Sequence, residues 1–284
     1  MGEQQLLPDG VQRTAVGVAR VRAAESRRED RLFTDPYAKA FVRAATGSRS
    51  NAEYVAPRDR SAGGAALAAR IVLRTRFFDD YLLQATAAGC RQVVLLAAGL
   101  DSRAFRLAWP EGTRVFELDL PPVIAFKERV LREEGAVPAC ERSVLAADLR
   151  GDWPQALKSA EFDPAAPTAW LLEGLLVYLE AEQADTVLST VTELSAAGSR
   201  LSLTEGRTPA RPIPGIGSDE RLRALADLWK GGLGEPAADW LARHGWQVTL
   251  HGKDELESAY DRPVPDAYSE GFLVAERGRP GTPG

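Results

Sequence analysis

The most chemically capable residues in this chain are acids that follow apolar runs, together with one glycine. Val93 to Leu96 is an unbroken apolar run that leads through small residues to Gly99. A second run, Val115 to Leu118, carries Glu117 and ends at Asp119. Asp148 follows Val144 to Ala147, and Glu173 closes the apolar stretch that begins at Thr168. An ionised carboxylate accepts several hydrogen bonds, so each acid can hold a diol or an ammonium group. Gly99 and Asp119 are 20 residues apart, the spacing at which a glycine turn and an acid bracket a ribose at the carboxyl ends of parallel strands. A nucleoside cofactor is expected there.

Two cofactor classes fit that spacing. A dinucleotide needs three glycines, so that a backbone turn and a helix N-terminus can approach its pyrophosphate. Ala97-Ala98-Gly99-Leu100-Asp101-Ser102-Arg103 offers one glycine, and an aspartate where a phosphate would lie. S-adenosylmethionine has no phosphate. Its ribose, adenine, amino-acid end and sulfonium all tolerate an acidic turn, so it is favoured over nicotinamide dinucleotides. A buried strand and turn without a ligand is the plain structural alternative.

Strands must carry these acids, and helices must separate the strands. Apolar runs alternate with helical patterns through the middle of the chain, which calls for a parallel sheet covered on both faces. About seven strands are expected, the others at Leu201 to Thr204, Trp246 to Leu250 and Phe272 to Ala275. No crossover helix is evident between the last two, so they should form an antiparallel pair. Helices are expected over Thr14 to Asp30, from Thr34 or Asp35 with Pro36 in the first turn, over Ala65 to Ala88, from Pro121 to Glu134, over Glu180 to Ala197, from Ser218 or Asp219 to Lys230, and over Pro236 to His244. Loops are expected at Gly47 to Arg60, which holds Tyr54, and at Gly206 to Gly217, where a substrate-specific lid would sit. The chain reads as one domain: a helical cap to about residue 60, an α/β core from about 61 to 277, and a disordered tail from about Arg277.

Composition narrows the function. At 284 residues, with 45% hydrophobic and 26% charged side chains, the chain can bury a large core. A net charge of −5 argues against nucleic acid as the main partner, which needs a basic face. Arginines between Arg20 and Arg31 alternate with acids, as on a solvated helix face. Cys90 and Cys140 lack metal-site spacing, and His244 and His251 lie seven residues apart beside glycines, so neither metal nor triad chemistry is expected. No leader-like or membrane-spanning run is evident, and a cytoplasmic protein with no membrane partner is expected.

Seven stretches, TAVGVARVRAAESRR, LFTDPYA, RTRFFDDYLL, QVVLLAAGLDSRAFRL, FELDLPPVIAFK, AADLR and PTAWLLEGLLVYL, run in order from Thr14 to Leu179. Together they resemble the leucine carboxyl methyltransferase family, in particular its bacterial branch of polyketide O-methyltransferases. The resemblance implies a class I, Rossmann-like S-adenosylmethionine-dependent methyltransferase fold whose last strand is antiparallel. It implies that Arg74 holds the methionine carboxylate with help from Arg22, and that Asp119 holds the ribose hydroxyls. Asp148 and the Leu149 backbone would meet adenine, and Glu173 would lie near the amino-acid end. The glycine turn would approach the cofactor at Ala97 and Gly99, although the family usually has glycine where this chain has Ala97. Asp101 and Arg103 either pair, or cap the helix after the turn, or touch the cofactor.

The expected reaction is methyl transfer to an oxygen of a small-molecule acceptor from secondary metabolism, a carboxylate above all. A carboxylate needs no deprotonation at neutral pH, which suits a chain whose histidines lie outside the motifs. A phenol or alcohol, a protein C-terminal carboxylate, and a non-catalytic protein that retains the nucleoside site are the competing expectations. Catalysis would rest on proximity and orientation, with Tyr178 the one candidate side chain near the acceptor.

Overall fold

The computed structural model describes residues 11–47, 62–204, 226–264 and 272–278. The seven expected strands are all there: β1 Gln92–Leu96, β2 Arg114–Asp119, β3 Glu141–Ala146, β4 Thr168–Leu172, β5 Arg200–Leu203, β6 Trp246–His251 and β7 Phe272–Arg277. They form one sheet in the order β3-β2-β1-β4-β5-β7-β6. Pairing is parallel from β3 across to β5, while β7 runs antiparallel between β5 and β6. The order reverses between β1 and β4, because the chain builds outward from β1 to β3 and then returns to β1's other side. Ligands of doubly wound sheets bind at such a switch point, beyond the carboxyl ends of the strands.

Alternation along the central strands sorts their side chains onto two faces. Val94, Leu96, Trp170, Leu172, Leu201 and Leu203 face one core with α6 (Trp153–Ser159), α7 (Ala181–Glu193) and α8 (Ala237–Arg243). Val93, Leu95, Val115, Ala169 and Leu171 face the other, covered by α3 (Ala62–Ala87) and by Leu256 of α9 (Lys253–Tyr260). Both faces of β1 and β4 are buried throughout, which is why they read as continuous apolar runs. A third cluster joins α1 (Val11–Glu25), α2 (Ala38–Thr46) and α5 (Pro121–Glu133) through Ala19, Phe41, Phe126 and Val130.

Several expectations need correction. α1 stops at Glu25, not Asp30: Ser26 donates to the Arg22 carbonyl, and Glu25 accepts from the Leu32 backbone as the chain turns. α2 begins at Ala38, where Asp35 accepts the backbone N–H groups of Tyr37 and Ala38 at 3.0 Å each. α9 lies between β6 and β7 where no helix was expected, although the two strands do pair antiparallel. The helix expected after the glycine turn is α4 (Arg103–Arg106), a single turn, while the short helix α6 was missed, since fewer than three turns leave little periodicity to read. Arg277 is not in a tail but pairs with Trp246 as the last residue of β7. Residues 227–230 are turn and irregular chain, so no helix reaches Lys230. The Tyr54 loop, the Gly206 to Gly217 lid and the start of the Ser218 helix lie outside the described residues, as do residues 279–284.

Candidate functional site

The glycine turn after β1 is held by β2. Ala98 donates its backbone N–H to the Leu118 carbonyl at 2.9 Å, and Gly99 donates to Asp119 Oδ2 at 2.6 Å. Leu120 donates to the other oxygen, Oδ1, at 2.7 Å. These two bonds aim the Asp119 carboxylate and leave it lone pairs for a diol. Burial nevertheless outweighs the two backbone donors and raises its pKa above the ordinary aspartate value. Ala97 and Gly99 both sit in the left-handed region, at φ 54° and 52°. Glycine takes that conformation freely; alanine is strained there.

Helix α1 lies directly on this turn. A side chain added at Gly99 would meet the Ala15 methyl of α1 at 3.5 Å. Arg22, buried on the same helix, donates to the Leu100 carbonyl at 2.5 Å and pairs with Asp35 at 3.0 Å. Its guanidinium is thus committed to the α1–α2 connection and the turn.

At the end of β4, Arg74 of α3 donates from Nε to Glu173 Oε1 at 2.8 Å, with both side chains nearly buried. Glu173 Oε2 accepts from Arg103 Nη1, also at 2.8 Å. Arg103 is fully buried and donates further to Asp101 Oδ2 at 2.5 Å and from Nε to Asp79 Oδ1 at 2.7 Å. Asp101 also accepts the Arg103 backbone N–H at 2.7 Å, so it both pairs with Arg103 and receives the first backbone N–H of α4. Arg106 closes the network with paired bonds to Asp79 at 2.6 and 2.7 Å. Burial opposes ionisation of Glu173, but Arg103 and Arg74 more than offset it and hold its carboxyl below the ordinary value. The same balance, with Arg103, Lys127 and Arg22 against burial, keeps Asp101 well below the usual carboxylate range.

The remaining predicted residues lie further along the same edge. Asp148, just past β3, is half-exposed and engaged by Arg150 through the backbone and through Nε at 2.9 Å; those bonds lower its pKa. Leu149 beside it is buried in the core. Tyr178 ends a short 3-10 turn, Leu176–Tyr178, and is half-buried; among the described residues its hydroxyl makes no hydrogen bond. Gly99 is therefore brought onto Asp119 and Arg74 onto Glu173, whereas among the described residues Asp148, Leu149 and Tyr178 make no hydrogen bond or ion pair with either pair.

Sequence reasoning missed Asp79 and Arg106 and left the role of Arg103 open. The signal that could have found Arg103 and Arg106 was their i,i+3 spacing just after the glycine turn, which puts both guanidiniums on one side of a short helix. Their partners could not be read, because Asp79 and Glu173 lie 24 and 70 residues from Arg103.

An Arg–Glu pair matches the carboxylate and ammonium of an amino acid, and an aimed Asp matches a ribose diol. That donor set fits S-adenosylmethionine. Comparison with known proteins agrees in fold and family. A DUF574-family protein of Streptomyces avermitilis, of known crystal structure, superposes with a TM-score of 0.57 over 91% of this chain and 96% of its own, at 17% identity. A provisionally named S-adenosyl-L-methionine-dependent methyltransferase of Streptomyces coelicolor is 49% identical over 93% of both chains. One of the same name from Frankia alni is 49% identical over 97% of both. Residues 15–192 match the family model described as leucine carboxyl methyltransferase. The chain belongs to the leucine carboxyl methyltransferase family of S-adenosyl-L-methionine-dependent methyltransferases.

Proposed function

We propose that this methyltransferase acts on an oxygen of a small molecule, with a carboxylate as the preferred acceptor. The observation that carries the reading is the Arg74–Glu173 pair at the end of β4, with the aimed Asp119 at the end of β2 on the other side of β1. Arg74 would hold the cofactor's carboxylate, Glu173 its ammonium and Asp119 its ribose. Bound S-adenosylmethionine would supply an electrophilic methyl group for transfer to an acceptor oxygen. The protein's own work is to align the acceptor and exclude water. Asp148 and Leu149 would border adenine, and the turn at Ala97 and Gly99 would pass close to the cofactor backbone. Arg22 would support that turn through the Leu100 carbonyl.

The placement of the histidines favours a carboxylate over a phenol. His251 ends β6, three places from β4 in the sheet, about 14 Å at the usual strand spacing. His244 stacks on Trp240 beyond α8. No histidine stands beside Glu173 among the described residues, and a phenol or alcohol would call for a base. A carboxylate does not.

Calorimetric titration with S-adenosylhomocysteine tests the site. The wild type should bind, and Arg74→Ala and Asp119→Ala should each weaken binding about tenfold or more. An acceptor screen read by mass should then give methyl esters of small carboxylic acids. Transfer to phenols alone would sink the carboxylate reading, transfer to a peptide C-terminus alone would move the acceptor to proteins, and unchanged affinity in both variants would remove the site.

A further inference from the structure

Arg103 is the most heavily bonded side chain near the site and is too deeply buried to meet a ligand broadly. We infer that it is a positioning residue for the cofactor's amino-acid end, holding Glu173 in place when Arg74 turns from Glu173 to the ligand. The inference rests on the assignment of Arg74 and Glu173 proposed above and deepens it.

Glu173 has two oxygens and two arginine partners, one on each. The two arginines differ in freedom. Among the described residues Arg74 hydrogen-bonds only to Glu173, through Nε, and its Nη1 lies against the Gly174 backbone, where an added side chain would be 3.7 Å away. Arg103 is fixed from three further directions: Asp79, Asp101 and, at 3.4 Å, the Thr75 carbonyl. Asp79 is itself clamped by Arg106. Arg74 can therefore turn away without disturbing the rest, and Arg103 cannot.

An amino-acid group is a zwitterion, and here the residues that would receive its two charges are bonded to each other. Admitting it exchanges the Arg74–Glu173 contact for an Arg–carboxylate pair and a Glu–ammonium pair. For that interval Glu173 is a nearly buried acid that has lost one of its two partners, and such a group swings out or takes up a proton unless something else holds it. Arg103 is already bonded to Oε2. It leaves Oε1 as the acceptor facing the ammonium. Charge is consistent with the exchange: Arg74, Arg103 and Arg106 balance Asp79, Asp101 and Glu173, and a zwitterion adds nothing to the sum. Removing Arg103 leaves an uncompensated acid in the cluster.

Two ligands separate positioning from general damage. S-adenosylhomocysteine carries the amino-acid end; 5′-methylthioadenosine carries the same nucleoside and a thioether without it. Calorimetry with the full chain and the variants Arg103→Met, Arg103→Lys and Glu173→Gln, each checked by thermal unfolding, should show one pattern. Arg103→Met should lose about tenfold or more for S-adenosylhomocysteine and stay within about twofold for methylthioadenosine. Arg103→Lys, which keeps the charge without the fork, should recover part of the loss. Adding Arg103→Met to Glu173→Gln should cost less than it does alone. Equal losses for both ligands, or undiminished S-adenosylhomocysteine binding, would overturn the inference. Should the Met variant not fold, the ligand ratio of Arg103→Lys decides in the same way. Full affinity in both Glu173→Gln and Arg74→Ala would remove the underlying site assignment, whereas weak Glu173→Gln with intact Arg103 variants would remove only the role of Arg103.

Discussion

Ala97 bears the clearest strain in the site. Its φ of 54° costs an L-residue about 1–2 kcal/mol, and a glycine there would give back about 0.5–1 kcal/mol as unfolded-state freedom. Ala97→Gly should therefore stabilise the chain by roughly 0.5–1 kcal/mol, raising the thermal midpoint by a few degrees at most; an unchanged or lower midpoint in a thermal melt would show that the alanine is not strained. The sequence marked this residue as a departure from its family but could not say in what conformation. The meeting of Gly99 with Asp119 was legible because a spacing of 20 residues brings the turn after one strand to the end of the next. Arg103 was not, since a guanidinium that bridges Asp79, Asp101 and Glu173 looks in sequence like any other arginine.

Among the elements, α5 depends on an ion cluster beneath it. Glu117 of β2 is fully buried and accepts from Lys127 of α5 at 2.7 Å and from Arg142 of β3 at 2.6 Å; Arg142 also reaches Glu128 of α5 at 2.6 Å. The cluster ties a helix to two strands, and α5 starts two residues after Asp119. Breaking a buried pair leaves a charge without compensation, so Lys127→Met should cost about 3–5 kcal/mol; a loss below about 1 kcal/mol in urea unfolding would show that Arg142 alone satisfies Glu117. The strands were readable because burial on both faces writes a continuous apolar run. α9 escaped because KDELESAY buries only Leu256, too little to impose a period.

For the molecule as a whole, the acids of the site set opposing pH responses. Asp101 and Glu173 are held below their ordinary values, so the stability they contribute is present above the ordinary carboxylate range and is lost as pH falls through their lowered folded values. Asp119 is raised and runs the other way: its contribution is complete below the ordinary aspartate value and is lost as pH rises through the raised one. Asp148, held low by Arg150, sides with the first pair; three against one, the thermal midpoint should fall as pH drops from about 5 to 3, and Arg103→Met should flatten that fall. A midpoint that holds steady to pH 3 in the wild type would show that the arginine network does not keep these acids ionised. The sheet order carries a different implication, one concerning time. β7 is the last strand in chain order yet lies inside the sheet, between β5 and β6. During synthesis β6 emerges with nothing to pair with, and β5 keeps an open edge, until Phe272–Arg277 arrive to bridge them. Unpaired edges are templates for other chains, so the growing polypeptide is most exposed to wrong partners just before its final strand is made.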